Sequence, residues 1–178
     1  MKKIGIVLGL VALLAGALIS PALAGVGTFG LGGGVYYNKM LGTIEKDKWD
    51  IDDDYLSYVL SAKYQFGDWF GIEGLLDYYP GGKDIDYSIK PMATAVLGNF
   101  INAGVGINST YIKYKEVGGS SKDKWTDMTY HFKAGIQFPI LDIFWLNVDA
   151  YYFVDELKDI EDFDKDYISF GARLHYLF

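Results

Sequence analysis

From Phe29 to Phe178, apolar side chains recur at every second position in eight separate stretches. The first four run through Phe29, Leu31, Val35 and Tyr37; Leu56, Tyr58, Leu60, Ala62, Tyr64 and Phe66; Phe70, Ile72, Leu76 and Tyr78; and Tyr87, Ile89, Ala93, Ala95 and Leu97. The last four run through Ile101, Ala103, Val105, Ile107 and Tyr111; Met128, Tyr130, Phe132, Ala134, Ile136 and Phe138; Phe144, Leu146, Val148, Ala150 and Tyr152; and Ile168, Phe170, Ala172, Leu174, Tyr176 and Phe178. A period of two is that of a β-strand with two unlike faces, so the pattern predicts an all-β chain of eight strands.

The opposite faces are polar. They carry Ser57, Ser61, Lys63, Gln65, Glu73, Asp77, Lys90, Thr94, Asn102, Asn108, His131, Lys133, Gln137, Asn147, Asp149, Arg173 and His175. A soluble sandwich would turn such a set to water, and a ligand-binding soluble barrel would line its cavity mainly with apolar groups. The connections decide between these and a third arrangement. They are short at 67–69, 98–100 and 139–143 and long at 41–54, 80–86, 118–127 and 155–166, the turn-and-loop asymmetry of a transmembrane barrel. Aromatics sort in the same way. Phe66, Phe70, Phe100, Phe138, Phe144, Tyr176 and Phe178 lie beside the short turns or the chain end, while Tyr37, Tyr78, Tyr87, Tyr111 and Tyr152 lie near the long connections. Two interfacial girdles follow. The expected architecture is an antiparallel up-and-down transmembrane barrel, apolar outside and polar within, whose first and last strands pair so that no edge faces lipid.

The start of the chain adds a compartment. Met1, Lys2 and Lys3 precede an apolar run, Ile4 to Ile19, and Pro21-Ala22-Leu23-Ala24 ends with small residues at the spacing of a secretory cleavage site. Residues 1–24 therefore read as a signal peptide cut after Ala24, and 25–178 as one barrel domain. The apolar run is shorter than the roughly 20 residues of a spanning helix. Loss of Lys2 and Lys3 takes the formal charge from −7 to −9. Cysteine is absent, so there is neither a disulfide framework nor a lipidation site.

The leader, the eight alternating strands, the hairpin SAKYQFGDWFGIEGLLDYY, the NAGVGIN of the fifth strand and the terminal YISFGARLHYLF together resemble the small eight-stranded outer-membrane β-barrels, the porin-like OmpA/OmpX-type family. The resemblance covers essentially the whole mature chain. It implies the outer membrane of a Gram-negative-type bacterium, contact with outer-membrane lipids and lipopolysaccharide, and delivery by the outer-membrane assembly machinery. In that family a terminal aromatic on an alternating last strand is the signal this machinery reads, a role the resemblance gives to Phe178 with Tyr176 and Leu174. The periplasmic peptidoglycan-binding domain of some relatives is not expected, because the sequence ends at its last strand.

Candidate chemistry is sparse. Some barrels of this size modify lipid A with His, Ser and an acid, the deacylase type placing His and Ser two apart; here Lys133 stands two after His131 and Leu177 two after His175. No catalytic residue and no cofactor is expected. The acidic runs Asp50 to Asp54 and Asp155 to Asp166 have the carboxylate density of a calcium site. From Asp162, however, Tyr167 and Arg173 stand where an EF-hand needs Gly and Glu. These runs read as solvated loop tips, with no metal assigned, and they argue against nucleic acid or other polyanions as partners. Gly30, Gly32, Gly34, Gly104 and Gly106 fall on the inward faces of the first and fifth strands and leave room for long neighbours, including Tyr167, Arg173 and His175 of the last strand. With Tyr36, Trp145 and Tyr151 adding bulk, the inward Lys63, Glu73, Asp77, Lys90, His131, Lys133, Asp149, Arg173 and His175 are expected to form a charge network filling the lumen. Three functions stay open: a plugged monomeric barrel with a structural or surface-interaction role, its acidic loops meeting an extracellular ligand; a narrow passive pore; and a lipid-modifying enzyme.

Overall fold

The computed structural model describes residues 27–38, 56–82, 85–115, 123–155 and 167–178. Ten strands form one sheet: β1 (Gly27–Asn38), β2 (Leu56–Phe66), β3 (Phe70–Tyr79), β4 (Ile85–Gly98), β5 (Ile101–Asn108), β6 (Tyr111–Tyr114), β7 (Lys124–Trp125), β8 (Thr129–Leu141), β9 (Phe144–Val154) and β10 (Ile168–Leu177). All pairings are antiparallel. The order β3-β2-β1-β10-β9-β8-β5-β4 closes through a β3–β4 pairing, giving the eight-stave barrel that the alternation predicts. Closure between first and last strands runs from Gly30 opposite Leu177 to Asn38 opposite Ser169, and the Phe178 amide donates to Phe29 O at 2.8 Å.

β6 and β7 are not extra staves. β6 continues the β5 ladder along β4, with Met92 opposite Asn108 and Ile89 opposite Tyr111, and β7 continues β8. The break at Ser109 and Thr110 has a chemical cause. The register puts Pro91, which has no N–H to give, opposite Ser109. On the other side the step from Asn108–Thr129 to Tyr111–Trp125 leaves an extra residue on the β7–β8 stave, a bulge. Thr126 repairs it: its amide donates to Thr110 O at 2.8 Å, its hydroxyl accepts from the Thr110 amide at 2.8 Å, and Ser109 Oγ donates to Thr126 O at 3.0 Å.

The structure also corrects several sequence-derived boundaries. The predicted loop 118–127 contains β7, β4 starts at Ile85 rather than Tyr87, and Pro139 lies inside β8, so the third turn tightens to the residues between Leu141 and Phe144. Tyr167 does not join the lumen; it is 53% exposed just ahead of β10. The acidic runs, apart from Asp155, and the predicted leader lie outside the described residues.

Side chains divide as the alternation requires. Leu60 and Ile101 are 68% and 72% exposed, Leu174, Tyr176 and Phe178 are exposed, and Ser57, Glu73, Thr94, His131, Asp149 and Arg173 are buried. That inversion of a soluble protein suits a solvent of hydrocarbon, in which every backbone group must be paired within the chain. Phe66 and Phe70 stack at 5.6 Å, and Phe144, Tyr176 and Phe178 form a further cluster, both beside the short turns. Tyr78, Tyr87, Tyr111 and Trp125 make a chain of rings at the other end. Level with it, the half-buried Lys113, opposite Tyr87, pairs with Asp86 at 3.2 Å.

Glycine allows the inward packing on β1. A Cβ on Gly32 would lie 2.6 Å from His175 Cδ2 and from Leu174 O, whereas one on the outward Gly33 would come no closer than 3.3 Å to a neighbour. Gly32→Val should therefore lower unfolding stability in micelles by about 2 kcal/mol through overpacking. Gly33→Ala should change it by no more than about 0.5 kcal/mol. Equal effects in urea titrations would show that the inward contact is unimportant.

Candidate functional site in the barrel interior

Four of the nine predicted lumen residues meet at mid-barrel. Arg173 on β10 places Nη1 2.9 Å from Glu73 Oε1 on β3, and Nη2 and Nε at 2.5 and 3.1 Å from Asp149 Oδ2 on β9. Lys133 on β8 completes the ring, 3.0 Å from Glu73 Oε2 and 3.1 Å from Asp149 Oδ1. All four side chains have no exposed surface. Two cations and two anions neutralise one another across the lumen, which is the condition under which buried charge is tolerated.

Two tyrosines bind this ring to an apolar layer. Tyr151 Oη donates to Glu73 Oε1 at 2.8 Å and Tyr36 Oη to Asp149 Oδ2 at 3.2 Å. Their rings meet edge to face at 5.5 Å and pack with Val59, Leu75, Met92 and Phe153. Sequence reasoning missed Val59, Leu75 and Met92, because an apolar residue on the inward face raises no contrast with the outward series. Towards the ends of β3 and β9 away from the short turns, Lys90 stands 3.9 Å from Asp77 and 4.1 Å from the Phe153 ring.

The histidines follow a repeated local design. His175 on β10, Gly32 on β1 and Ser61 on β2 share one row of the sheet, and the imidazole reaches over the glycine to Ser61 Oγ at 2.8 Å. Its Nδ1 faces Asn147 Nδ2 at 2.7 Å. On another part of the wall, His131 on β8, Gly106 on β5 and Thr94 on β4 share a row; Nε2 meets Thr94 Oγ1 at 2.8 Å and Nδ1 meets Asn108 Nδ2 at 3.2 Å. The inward glycines noticed in the sequence thus remove the side chain that would block a cross-tie between strands two apart. Both imidazoles are buried and engaged at both nitrogens.

Lys63 stays apart from the ring. Its amine donates to Gln137 Oε1 at 2.5 Å, and Gln137 Nε2 in turn donates to Asn99 Oδ1 at 2.6 Å. These residues and the short-turn side of the lumen enclose a cavity of about 270 Å³. Among the described residues no group of His, Cys, Asp and Glu is arranged to hold a metal ion.

An all-antiparallel closed barrel with a lipid-compatible exterior and a charged, buried interior defines a transmembrane barrel protein. The sequence matches the outer membrane protein beta-barrel domain family over residues 10–176, and the chain belongs to that family. The N-terminal β-barrel domain of Pseudomonas aeruginosa OprF is similar in structure at 12% identity and a TM-score of 0.57, covering 85% of this chain and 97% of that one. Ail, the attachment invasion locus protein of Yersinia pestis, aligns at 17% identity with a TM-score of 0.48, over 86% of this chain and 99% of its own. Neisserial surface protein A aligns at 13% identity and 0.41, over 86% and 95%. No curated protein matches the sequence. The chain is thus an outer-membrane β-barrel of the eight-stranded type.

Because each ring member's partners are also buried, removing one strands a charge. Arg173→Ala or Glu73→Ala should cost roughly 3 kcal/mol of unfolding stability, against about 0.5 kcal/mol or less for the exposed Lys124→Ala. The double substitution should cost less than the sum of the single ones, because it removes both members of the pair. Simple additivity in chemical denaturation would show that the two do not interact.

Proposed function

We propose that this barrel is a closed membrane anchor with a structural or surface-interaction role, holding its four long connections outside the cell. The observation that carries this reading is the ring of Glu73, Lys133, Asp149 and Arg173, roofed by Tyr36 and Tyr151. At the level of this ring, side chains fill the interior that eight strands leave, and a solute would have to part four paired charges to pass. A catalytic role is disfavoured by the engagement of both histidines, each tied to a hydroxyl and an amide. The chain reaches the membrane by export on its leader, and Leu174, Tyr176 and Phe178 form the end of the last strand that the assembly machinery reads. Support for the latter is their outward exposure and the packing of Phe178 on Phe29 and Tyr176.

Refolded protein in planar bilayers should show no steady single-channel current. Stable, well-resolved openings would replace the anchor with a pore. Phe178→Asp should fold in detergent yet accumulate in the periplasm, and normal surface levels of this variant would remove Phe178 from the delivery signal. A protease tag placed between Gly118 and Gly119 should be cut on intact cells while one between Gly98 and Asn99 is protected; the opposite result would invert the barrel.

A further inference from the structure

The division into polar and apolar faces does not stop at the ends of the strands. In the first two short turns a residue that lines the barrel mouth is followed by an exposed aromatic that takes no part in the lining: Asp68 then Trp69, and Asn99 then Phe100. In the third turn Ile140, Leu141 and Ile143 flank Asp142. These five apolar side chains and the terminal Phe178 are between 45% and 69% exposed. Residues 67–69, 98–100 and 140–143 contain no Lys or Arg, and their charges are Asp68 and Asp142. Turn tips that met only water would have no use for so much apolar surface.

Three observations say what covers it. The first is distribution. The turns join β2 to β3, β4 to β5 and β8 to β9, and Phe178 follows β10, so the apolar tips are spread around the closed order of strands. A protein partner would cover one side, whereas a bilayer surrounds the barrel. The second is the backbone. Trp69 O accepts from the Gly98 amide at 2.7 Å, Phe100 O from Gln137 at 2.8 Å and Ile143 O from Leu177 at 2.9 Å. Each turn is thereby tied to the next stave, and these carbonyls find their partners inside the chain, the condition that lipid imposes. The third is height. Outward aromatics at the two ends of a strand, such as Phe70 and Tyr78 or Phe144 and Tyr152, are eight positions apart. At ~3.3 Å per residue and a tilt of ~40° they span roughly 20 Å, short of the ~25 Å apolar band of such barrels. The tips supply the difference: Ile140 stands two positions beyond Phe138, a further ~5 Å.

We propose that the short-turn end is itself a membrane-binding surface, a crown in which Trp69, Phe100, Ile140, Leu141, Ile143 and Phe178 insert at the boundary between phospholipid headgroups and acyl chains. Asp68 and Asp142 limit its depth, since charge is costly in the hydrocarbon. The crown holds whichever leaflet the turns meet and whether or not the ring conducts, so its failure would leave the closed-anchor reading standing.

The test is tryptophan quenching in refolded protein, with phosphatidylcholine vesicles brominated on the acyl chains near the glycerol set against acrylamide in the water. With Trp49→Phe, Trp125→Phe and Trp145→Phe combined, Trp69 should lose most of its emission to the brominated lipid and little to acrylamide. When Trp69→Phe is added, Phe100→Trp and Ile140→Trp should each report the same, while Asp68→Trp, whose position lines the mouth, should report the reverse. Should these variants not fold, NMR of the wild-type barrel in nanodiscs reads the same contact. A doxyl lipid should then broaden the Trp69 indole N–H more than a water-soluble gadolinium chelate does. The crown is overturned if Trp69 answers to the aqueous probe and not to the lipid in either experiment. It is also overturned by lipid contact at one turn only, the pattern of a one-sided protein-docking patch, or by equal lipid quenching at Trp69 and at Asp68→Trp.

Discussion

Closing eight strands with their polar face inward sets every other requirement of this molecule. Lipid offers no partner to a free N–H or C=O, so β1 must meet β10 along its length. Once the ring of strands is closed, charged side chains on the inner face have little water to meet, and an isolated charge there is costly. They must therefore meet one another. Glu73, Lys133, Asp149 and Arg173 come from four different staves and bond across the space between them. Tyr36 and Tyr151 join that polar ring to the apolar layer of Val59, Leu75 and Met92, each spending its hydroxyl on a carboxylate and its ring on the layer.

Much of this was legible because period two is a strong constraint. A slip of one residue would exchange the two faces of a strand, so Arg173, His175 and Lys133 could be assigned inward from the alternation alone. Closure by an even number of strands followed from the same pattern, with the girdles set by aromatics beside short and long connections. The interruption of the fifth stave was written in Pro91, but only knowledge of which residue faces it, Ser109, gives that proline its meaning. Val59, Leu75 and Met92 were hidden for the opposite reason, since they look the same on either face. Tyr167 has the parity of an inward residue yet precedes the strand, beyond the reach of the ladder that would turn it inward.

The inward glycines were visible, but their purpose was not. In the sequence Gly32 and Gly106 look like space for a solute or for bulk. In the fold each is the middle of a three-strand row in which a histidine crosses to Ser61 or Thr94. Hydroxyl, glycine, histidine and flanking asparagine recur at two places on the wall, each time tying together strands two apart. Small residues here serve their neighbours, as close packing inside a narrow barrel requires.

The central claim is that the mid-barrel charges are bonded to one another and shielded from water. Nitrogen-15 NMR of the Arg173 guanidinium and the Lys133 ammonium in the refolded barrel reads this directly, through the exchange of their protons with solvent. Separate, slowly exchanging N–H signals at neutral pH, with couplings or cross-peaks to the carboxylates of Glu73 and Asp149, are the predicted result. A single averaged guanidinium signal exchanging at the rate of a solvated arginine would contradict the account.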